Sequence, residues 1–332
     1  MKAAVISGIN EISVEKFEDP VPGPREVIIK VASVGICGTD LHILEGEFAP
    51  TLPIIPGHEM SGEIIALGSN VTELKIGDMV AIDPSLHCGE CFYCKRARGN
   101  LCENWGALGV SEAGAAAEFL RAPIKNCYKL PENVAVKDAS LIEPLSCAVR
   151  GFDVLPRIPG SDYLIYGSGT MGLMMMEMAK RNGAASVSIV DPNKEKLKTA
   201  EILGVDNYAI SADELEKPRG WDVVIDCTGV VPAIRDGLTR LMPGGTFLQF
   251  GVANESAKIE IEPFWIYNKE INIVGSMAVL HSFGRAVELF AAGVIDPQVF
   301  ISHRYGLDDY KAGLEIFKSG GSRKVTIEPQ NS

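Results

Sequence analysis

The stretch YLIYGSGTMGLMMMEMAK, residues 163–180, decides the fold of about half of this chain. Four apolar residues lead into a glycine turn, and the turn opens into a segment whose apolar residues have helical spacing. Gly167, Gly169 and Gly172 form the pattern G-x-G-x-x-G. The first glycine permits a tight turn, the second lets a phosphate approach the backbone, and the third lets helix and strand pack closely. The pattern predicts a dinucleotide-binding turn at the start of a helix.

The next apolar run, SVSIVD, supplies the second half of this signal. It ends in Asp191, 19 positions after Gly172, where a carboxylate would accept hydrogen bonds from an adenosine ribose. Because the same charge would repel the 2′-phosphate of NADP, the sequence predicts NAD. The predicted cofactor-binding residues are, in chain order, Gly167, Ser168, Gly169, Thr170, Met171, Gly172 and Asp191.

Strand-like and helix-like segments alternate from about residue 160 to residue 276. The runs YLIYG, SVSIVD, WDVVIDCTG, TFLQFG and INIVGS are nearly continuous in apolar residues, as parallel strands buried on both faces are. Four methionines of the first helix, Met171, Met174, Met175 and Met178, have helical spacing and are predicted to form its buried face. The alternation predicts an α/β fold, a doubly wound parallel sheet with helices on both sides.

The first 145 or so residues have a different rhythm, with short β-branched runs such as EVIIKVASVGI, MSGEIIALG and KIGDMVAI between turns. With 332 residues, two domains are expected. The formal net charge of -12 disfavours binding to nucleic acid or to anionic membranes. No apolar run is long enough for a transmembrane helix, and the acidic N-terminal segment does not resemble a signal peptide. A cytoplasmic protein with a small-molecule substrate is expected.

Four cysteines are crowded into CGECFYCKRARGNLC, residues 88–102. Thiolates at this spacing can surround Zn²⁺ completely and leave no position for substrate, so the segment predicts a structural zinc site. The predicted ligands are Cys88, Cys91, Cys94 and Cys102. The neighbouring His87 is not needed as a ligand, and disulfides are less suited to a long chain of this kind.

A second group of possible metal ligands is spread more widely. Cys37 offers a thiolate, His58 an imidazole and the adjacent Glu59 a carboxylate, while Glu143 offers another carboxylate where the chain enters the nucleotide domain. A mixed shell with one open position is what catalysis requires of zinc. Composition alone leaves the alternative that Cys37 and His58 are ordinary core residues.

Several motifs together resemble the zinc-dependent medium-chain dehydrogenases, over essentially the whole chain. They are GICGTDLH, PIIPGHEMSGEIIALGSNVTELKIGDMV, the four-cysteine lobe, EPLSCAVRG and GSGTMG, in that order. The branch that the chain resembles most is that of polyol (sorbitol-type) and threonine dehydrogenases, which share GHE and have EP where liver-type enzymes carry a ligand cysteine. The resemblance implies a GroES-like, mostly β catalytic domain at 1–147 and 277–332, with the zinc lobe at about 85–103. It implies a Rossmann NAD-binding domain at 148–276.

The resemblance also implies roles for individual residues. Cys37, His58 and Glu59 match catalytic zinc ligands, and Glu143 matches a ligand that binds directly or through water. Asp40 would orient His58. Thr39 matches the hydroxyl that accepts the substrate proton, and His42 matches the relay that passes it to solvent by way of the NAD ribose. For these two, a capped turn and a surface histidine are the alternatives that the residues alone leave open.

The implied reaction is hydride transfer from a secondary alcohol of a polyol, phosphorylated or not, to NAD. Sorbitol dehydrogenases carry an arginine where this chain has Ala278, so sorbitol is not implied. The complete four-cysteine lobe matches bacterial relatives, whereas animal sorbitol dehydrogenases lack a complete lobe. The short loops imply a tetramer. His281 could line the substrate or nicotinamide cleft, and His303 is predicted to be a packing or interface residue.

Threonine oxidation and oxidation of a simple secondary alcohol are the alternatives within the same chemistry. A zinc-stabilised NAD-binding protein without catalysis is an alternative from a different class, disfavoured by the presence of Cys37, His58 and Thr39. A zinc-free reductase of enals or quinones that uses NADPH is disfavoured by Asp191 and by the cysteine lobe.

Overall fold

The computed structural model describes residues 1–47 and 51–331. The strands, in chain order, are β1 (Lys2–Gly8), β2 (Glu11–Lys16), β3 (Glu26–Gly35), β4 (Glu59–Leu67), β5 (Met79–Ile82), β6 (Ser85–Leu86), β7 (Gly106–Ala107), β8 (Phe119–Pro123), β9 (Cys127–Lys129), β10 (Asp162–Tyr166), β11 (Ser186–Val190), β12 (Asn207–Ala209), β13 (Trp221–Asp226), β14 (Leu241–Gln249), β15 (Asn272–Gly275), β16 (Ile301–Gly306) and β17 (Lys324–Glu328). The α-helices, in chain order, are α1 (Gly38–Leu44), α2 (Ile142–Val154), α3 (Thr170–Arg181), α4 (Lys194–Ile202), α5 (Val231–Thr239), α6 (Pro263–Lys269), α7 (Phe283–Ala291), α8 (Pro297–Phe300) and α9 (Tyr310–Lys318).

The chain divides into two compact units. The first comprises Met1–Ser146 and Ala278–Ser332, and the second comprises Cys147–Met277. These bounds differ by one residue from the domain boundaries that the sequence predicts. None of the helices within the described ranges has the length and apolarity needed to cross a membrane.

The second unit is built on a parallel sheet. Among the described residues its strand order is β12-β11-β10-β13-β14-β15, and every pairing is parallel. Helix α3 packs against β10 and β11, and α5 packs against β13 and β14. The first strand, β10, lies in the middle of the sheet, which is the Rossmann order and confirms the predicted fold class. In such sheets ligands bind at the carboxyl ends of the strands where the order reverses, and here that point is the end of β10.

The strands of this sheet are apolar because they are covered on both faces. Leu164 and Ile165 of β10 are fully buried, as are Val224 and Ile225 of β13. Consecutive residues of a strand point to opposite faces, so burial of both members of each pair requires cover on both sides. The near-continuous apolar runs in the sequence follow from this arrangement.

The first unit is mostly β structure, as expected of the GroES-like fold. Its main sheet, within the described ranges, has the order β16-β17-β3-β4-β5-β9, and β8 pairs with β3. Strand β3 lies between β17 and β4, and Gly35 at its end pairs with Glu59 of β4 and Thr326 of β17. This register brings the beginnings of β4 and β17 together beside the end of β3, next to Cys37.

Candidate zinc centres and dinucleotide turn

One cluster of metal-binding side chains lies at the end of β3. Cys37 follows β3, and His58 and Glu59 lie at the beginning of β4, which pairs with β3. The possible ligand atoms of these three residues all lie within 4.8 Å of one another. Only 7% of His58 and 1% of Glu59 are exposed. The structure therefore brings Cys37 together with the adjacent pair His58 and Glu59, which lie more than 20 positions later in the sequence.

The surroundings of His58 attract positive charge. Burial lowers the pKa of this imidazole, but the hydrogen bond to Cys37 and the charge of Cys37 have the opposite effect. The charges of Asp40 and Glu143 raise the pKa further, to about 10. Its Nδ1 atom is buried with no hydrogen-bond partner. A sulfur, a nitrogen and a carboxylate oxygen in a buried, negatively charged site form a donor set that suits Zn²⁺. The residues present fit the metal.

Glu59 has a charged partner that the sequence did not reveal. Lys324 Nζ lies 2.7 and 2.6 Å from the two carboxylate oxygens and 3.1 Å from the carbonyl oxygen of Ile36. Lys324 is 3% exposed, so the pair is cut off from water. Opposite Glu59, a Cβ at Gly35 would lie 2.0 Å from Oε2, so only glycine leaves room for the carboxylate.

Asp40 makes hydrogen bonds to the backbone, and its charge also acts on the His58 ring. Its oxygens accept hydrogen bonds from the Cys37 N–H at 2.8 Å and the Gly57 N–H at 3.2 Å. Both bonds lie next to predicted metal ligands, because Gly57 precedes His58. Nδ1 of His58 has no hydrogen-bond partner, so Asp40 does not accept a hydrogen bond from this atom, and its role in orienting His58 stays a prediction. The buried carboxylate instead fixes the chain on both sides of the cluster.

Glu143 lies near the cluster but outside the set of three. It is in the first turn of α2, and 7% of it is exposed. Its charge contributes to raising the pKa of both His58 and Lys324. It contributes no ligand atom to the group that falls within 4.8 Å.

Two polar residues follow Cys37 on α1. Thr39 Oγ1 lies 3.8 Å from the sulfur of Cys37. His42 is three positions further along α1, so the two side chains are neighbours on one face of the helix. The His42 side chain is 30% exposed. A hydroxyl beside the cluster and an imidazole that reaches water are thus carried by the same short helix.

The four cysteines of the lobe form a second cluster. The sulfur of Cys88 lies 4.0 Å from that of Cys94 and 3.5 Å from that of Cys102, and the sulfurs of Cys91 and Cys102 are 3.9 Å apart. With zinc–sulfur bonds of about 2.3 Å, the edge of a ZnS₄ tetrahedron is about 3.8 Å. The four sulfurs therefore fit one tetrahedral Zn²⁺ with no position left for substrate.

Backbone N–H groups donate to the sulfurs of Cys88 and Cys91 and favour their thiolate forms, whereas burial raises the pKa of Cys94 to about 12. Hydrogen bonds from the N–H groups of Glu90 and Cys91 lower the pKa of Cys88. The Cys94 N–H, followed by that of Glu103, lowers the pKa of Cys91 to about 6. All eight cysteines lie within the described ranges, and none forms a disulfide. The exposed His87 contributes no ligand to the cysteine cluster.

The glycine turn after β10 has the form that a pyrophosphate requires. Gly167 has φ +97°, and a Cβ on Gly172 would lie 1.7 Å from the carbonyl oxygen of Gly167. A Cβ on Gly169, at the N-cap of α3, would meet nothing within 4 Å. The turn therefore requires glycine at position 167 because of its positive φ, and at position 172 because a side chain would collide with the backbone. Gly169 faces open space, where a ligand can approach. The cradle fits a dinucleotide.

Asp191 lies at the end of β11 with its carboxylate against this turn. One oxygen accepts from the Ser168 N–H at 2.8 Å, and the other accepts from the Asn193 N–H at 2.8 Å. An ionised carboxylate has about four lone-pair sites, so it can still accept hydrogen bonds from ribose hydroxyls. Thr170 begins α3, and Met171 after it is only half-buried.

The sequence also singles out the methionines of α3 and the histidine His281. Met174, Met175 and Met178 are buried as predicted, and Met176 is buried with them, but Met171 is only half-buried. His281 is exposed with φ +51°, and its carbonyl oxygen accepts from Arg285.

His303 packs parallel to the ring of Tyr305, with 6.1 Å between the ring centres, and exchanges a hydrogen bond with Ser302. That contact agrees with the predicted packing role. Ala278, which stands where sorbitol dehydrogenases carry arginine, adopts φ +48°.

Comparison with protein families gives two matches in the chain. The alcohol dehydrogenase GroES-like domain matches residues 23–132, and the zinc-binding dehydrogenase domain matches residues 170–292. The first match covers the Cys37 cluster and the cysteine lobe, and the second begins within the glycine turn.

Similar proteins align over nearly the whole chain. A D-arabinitol dehydrogenase 1 of Uromyces fabae is 35% identical over 330 residues, which are 96% of this chain and 94% of that protein. An L-threonine 3-dehydrogenase of Rhizobium johnstonii is 32% identical over 99% of both chains. A crystal structure of a protein described as a zinc-binding dehydrogenase, from Sinorhizobium meliloti 1021 and bound to NADP, has a TM-score of 0.94 at 32% identity over 99% of both chains.

Proposed function

We propose, on the premise that this chain belongs to the zinc-dependent medium-chain dehydrogenases, that it oxidises a secondary alcohol of a polyol to a ketone and so forms a ketose. The premise rests on the two family matches and on relatives above 30% identity over the whole chain. The protein is an alcohol or polyol dehydrogenase of the polyol and threonine branch, with zinc and NAD as cofactors. The polyol substrate and the roles of single residues in its oxidation are proposed.

The observation that carries the proposal is the buried cluster of Cys37, His58 and Glu59. Its three ligand atoms lie within 4.8 Å of one another, and Thr39 places a hydroxyl 3.8 Å from the thiol. Three protein ligands leave a tetrahedral metal one further position, as a catalytic site requires and a structural site does not. We propose Glu143 as a further oxygen ligand, which binds either through a water molecule at that position or directly, as a fifth ligand beside the alcohol.

When bound, zinc lowers the pKa of a substrate hydroxyl, and NAD accepts the hydride. The residues of the chain orient the alcohol and move its proton. Thr39 accepts the hydroxyl proton, because its Oγ1 lies 3.8 Å from the sulfur of Cys37, a proposed zinc ligand. His42, on the same face of α1, takes the proton onward, and its exposed edge lets the proton reach water.

Polyols are favoured over threonine by the relatives. A D-arabinitol dehydrogenase is 35% identical, while the threonine dehydrogenase is 32% identical over a similar length. These values are close, so L-threonine 3-dehydrogenase is kept as the second candidate. Simple secondary alcohols are the third.

A substrate panel tests the proposal. NADH formation at 340 nm is followed with pentitols, hexitols, their phosphates, L-threonine and simple secondary alcohols, with and without a zinc chelator. Turnover of one polyol that the chelator abolishes supports the proposal and identifies the substrate. A much higher kcat/KM for threonine replaces it with the second candidate, and silence on the whole panel with NAD still bound contradicts it.

We also propose that the enzyme prefers NAD to NADP, because Asp191 would lie against the 2′-phosphate. The Sinorhizobium meliloti relative was crystallised with NADP, so the preference of this chain needs its own measurement.

A homo-oligomer is proposed from the edge strand β15, where 42% of Ile273 is exposed. A cytoplasmic location is supported by the reduced cysteines that the zinc lobe requires.

A further inference from the structure

The end of helix α1 folds the chain back onto His42. Gly46 has φ +79°, its N–H donates to the carbonyl oxygen of Ile43 at 3.1 Å, and the Glu47 N–H donates to the carbonyl oxygen of His42 at 2.8 Å. These two hydrogen bonds form a Schellman motif, in which the residue after the glycine returns to the last turn of the helix. Glu47 is therefore held beside His42 by the backbone itself.

The side chains make use of this approach. Glu47 Oε2 lies 2.5 Å from Nδ1 of His42, and the side chains of the two residues are 40% and 30% exposed. The Leu44 carbonyl oxygen accepts from the Asn10 N–H at 2.7 Å, and a Cβ on Gly46 would lie 3.0 Å from the side chain of Ile9. The turn is thus fixed against β1–β2, and with it the contact between carboxylate and imidazole.

An ionised carboxylate only accepts hydrogen bonds, so the Nδ1 atom must carry the hydrogen of this contact. In the neutral imidazole the lone pair is then on Nε2, the nitrogen that can accept a further proton. When it does so, the imidazolium and the carboxylate attract each other. An acid that holds a histidine in one tautomer and stabilises its protonated form is a general way to improve a proton acceptor.

We infer that Glu47 is a positioning residue for the proton relay, which fixes the tautomer and orientation of His42. This inference rests on the proposed function, since it assigns a partner to the relay of that reaction. As the substrate hydroxyl loses its proton by way of Thr39, His42 Nε2 accepts it and becomes an imidazolium, and it then releases the proton to water. The hydride, with its electron pair, goes to NAD, so charge and protons balance.

A double-mutant cycle tests the inference in the zinc-loaded enzyme with its best substrate. Glu47→Gln and Glu47→Ala are each expected to lower kcat about tenfold, less than the roughly 10²–10⁴-fold of a full acid–base contribution because His42 remains, while KM for the alcohol changes less than twofold. His42→Ala is expected to lower kcat more. In the His42→Ala background, Glu47→Ala should then have no further effect, because a residue that acts only through His42 loses its role with it.

Glu45→Gln is the matched control, since this neighbouring carboxylate pairs with Lys318 and not with His42. It should leave kcat within twofold of wild type, as expected for an exposed ion pair. A second readout does not depend on activity. In ¹⁵N-labelled protein the two-bond ¹H–¹⁵N correlations of His42 should show the hydrogen on Nδ1, and Glu47→Ala should remove that preference.

The outcomes separate the inference from the proposed function. If wild type oxidises none of the alcohols, the proposed function fails. If wild type is active and His42→Ala is as active, the relay fails and Glu47 with it. If His42→Ala is impaired but Glu47→Ala is not, or if its effect persists fully in the His42→Ala background, the inference about Glu47 alone is overturned.

Discussion

Glu59 and Lys324 are two opposite charges that the fold removes from water. They are 1% and 3% exposed, and the lysine spans both carboxylate oxygens at 2.7 Å or less. Removing one partner of a buried ion pair leaves the other charged in an apolar setting, at a cost of about 3–5 kcal/mol. Lys324 therefore holds the Glu59 carboxylate in place beside Cys37 and His58.

Lys324→Met is expected to lower the free energy of unfolding by about 3–5 kcal/mol in metal-free protein, and by less in zinc-loaded protein, where the ion adds positive charge beside Glu59. Urea unfolding before and after chelation measures both values. Lys318→Met is the control, because Lys318 is 62% exposed in its pair with Glu45 and should contribute less than about 1 kcal/mol. Equal tolerance of both substitutions would contradict this account of the pair.

Asp191→Ser should erode the preference for NAD. The substitution removes the charge that would repel a 2′-phosphate, so the ratio of kcat/KM with NAD to that with NADP should fall about tenfold or more. A ratio is the right readout because Asp191 also holds the Ser168 N–H, and damage to the turn affects both cofactors. Asp206→Ser is the control, since Asp206 caps the backbone at Val187 in the same sheet. An unchanged ratio in Asp191→Ser would show that another group selects the cofactor.

What the sequence predicts about single residues depends on how far apart the partners are. The glycines of the turn and the cysteines of the lobe are close in sequence, so their spacing alone indicates their arrangement. Lys324 contacts Glu59 across 265 positions, and no local pattern reveals such a pair. The sequence predicts that Asp40 orients His58, but it does not reveal that two backbone N–H groups donate to its carboxylate.

The zinc lobe is the element whose structure depends most on a metal. Between Cys88 and Cys102 it has two short 3₁₀ turns, and its side chains are largely exposed. Phe92 is 55% exposed and packs under Arg96. With so little apolar burial of its own, the segment must be held together by the four sulfurs.

Cys91→Ser should act on stability and leave the chemistry intact. We expect loss of about one zinc per chain and a fall of roughly 5–15 °C in the thermal midpoint, while kcat per folded chain stays within about threefold of wild type. Atomic absorption, calorimetry and initial rates measure these in one preparation. Cys127→Ser, at a cysteine outside both clusters, is the control and should keep both zincs. Loss of turnover with unchanged stability would mean that the lobe is the catalytic centre.

At the level of elements, β10 and α3 are predictable from periodicity, but the end of α1 is not. The sequence shows that a glycine, Gly46, follows a short helix. It does not show that the turn at this glycine places Glu47 against His42. That contact depends on a hydrogen-bonding pattern of the backbone, which residue types do not determine alone. His281 is similar, since a left-handed φ at a loop histidine has no signature in the sequence.

On the scale of the whole molecule, one edge of the parallel sheet is suited to a second copy of the chain. Strand β15 is the last strand of the described sheet. Nearby, α6 has no buried residue, and it exposes 71% of Phe264 and 79% of Tyr267. An apolar edge strand is an association site unless it is covered.

Ile273→Asp should convert the proposed oligomer into smaller species. A charge on the edge strand opposes pairing with another copy, so light scattering should give a mass close to the 35.7 kDa of one chain. Ile202→Asp is the control, because Ile202 is 74% exposed at the end of α4 and should leave the oligomer intact. A monomeric wild type, or an unchanged mass in Ile273→Asp, would contradict the proposal.

The two-unit architecture could be read from the sequence because each unit has its own pattern. Alternating apolar runs and helices indicate a parallel sheet, and the family motifs supply the GroES-like unit that short strands alone leave undefined. The return of the chain to the first unit after residue 277 follows from the resemblance and not from periodicity. Pairing of β17 with β3 brings Lys324 from the far end of the chain to Glu59, which local patterns do not predict.

The measurement that tests the central claim most directly is the zinc content and turnover of Cys37→Ser, determined on the same sample as wild type. Wild type should contain about two zincs per chain, and the variant about one, held by the lobe. The variant should keep its thermal midpoint within a few degrees and lose at least about a thousandfold in kcat with the best alcohol. Turnover near the wild-type value with one zinc, or two zincs retained with full activity, would show that Cys37, His58 and Glu59 are not the catalytic centre.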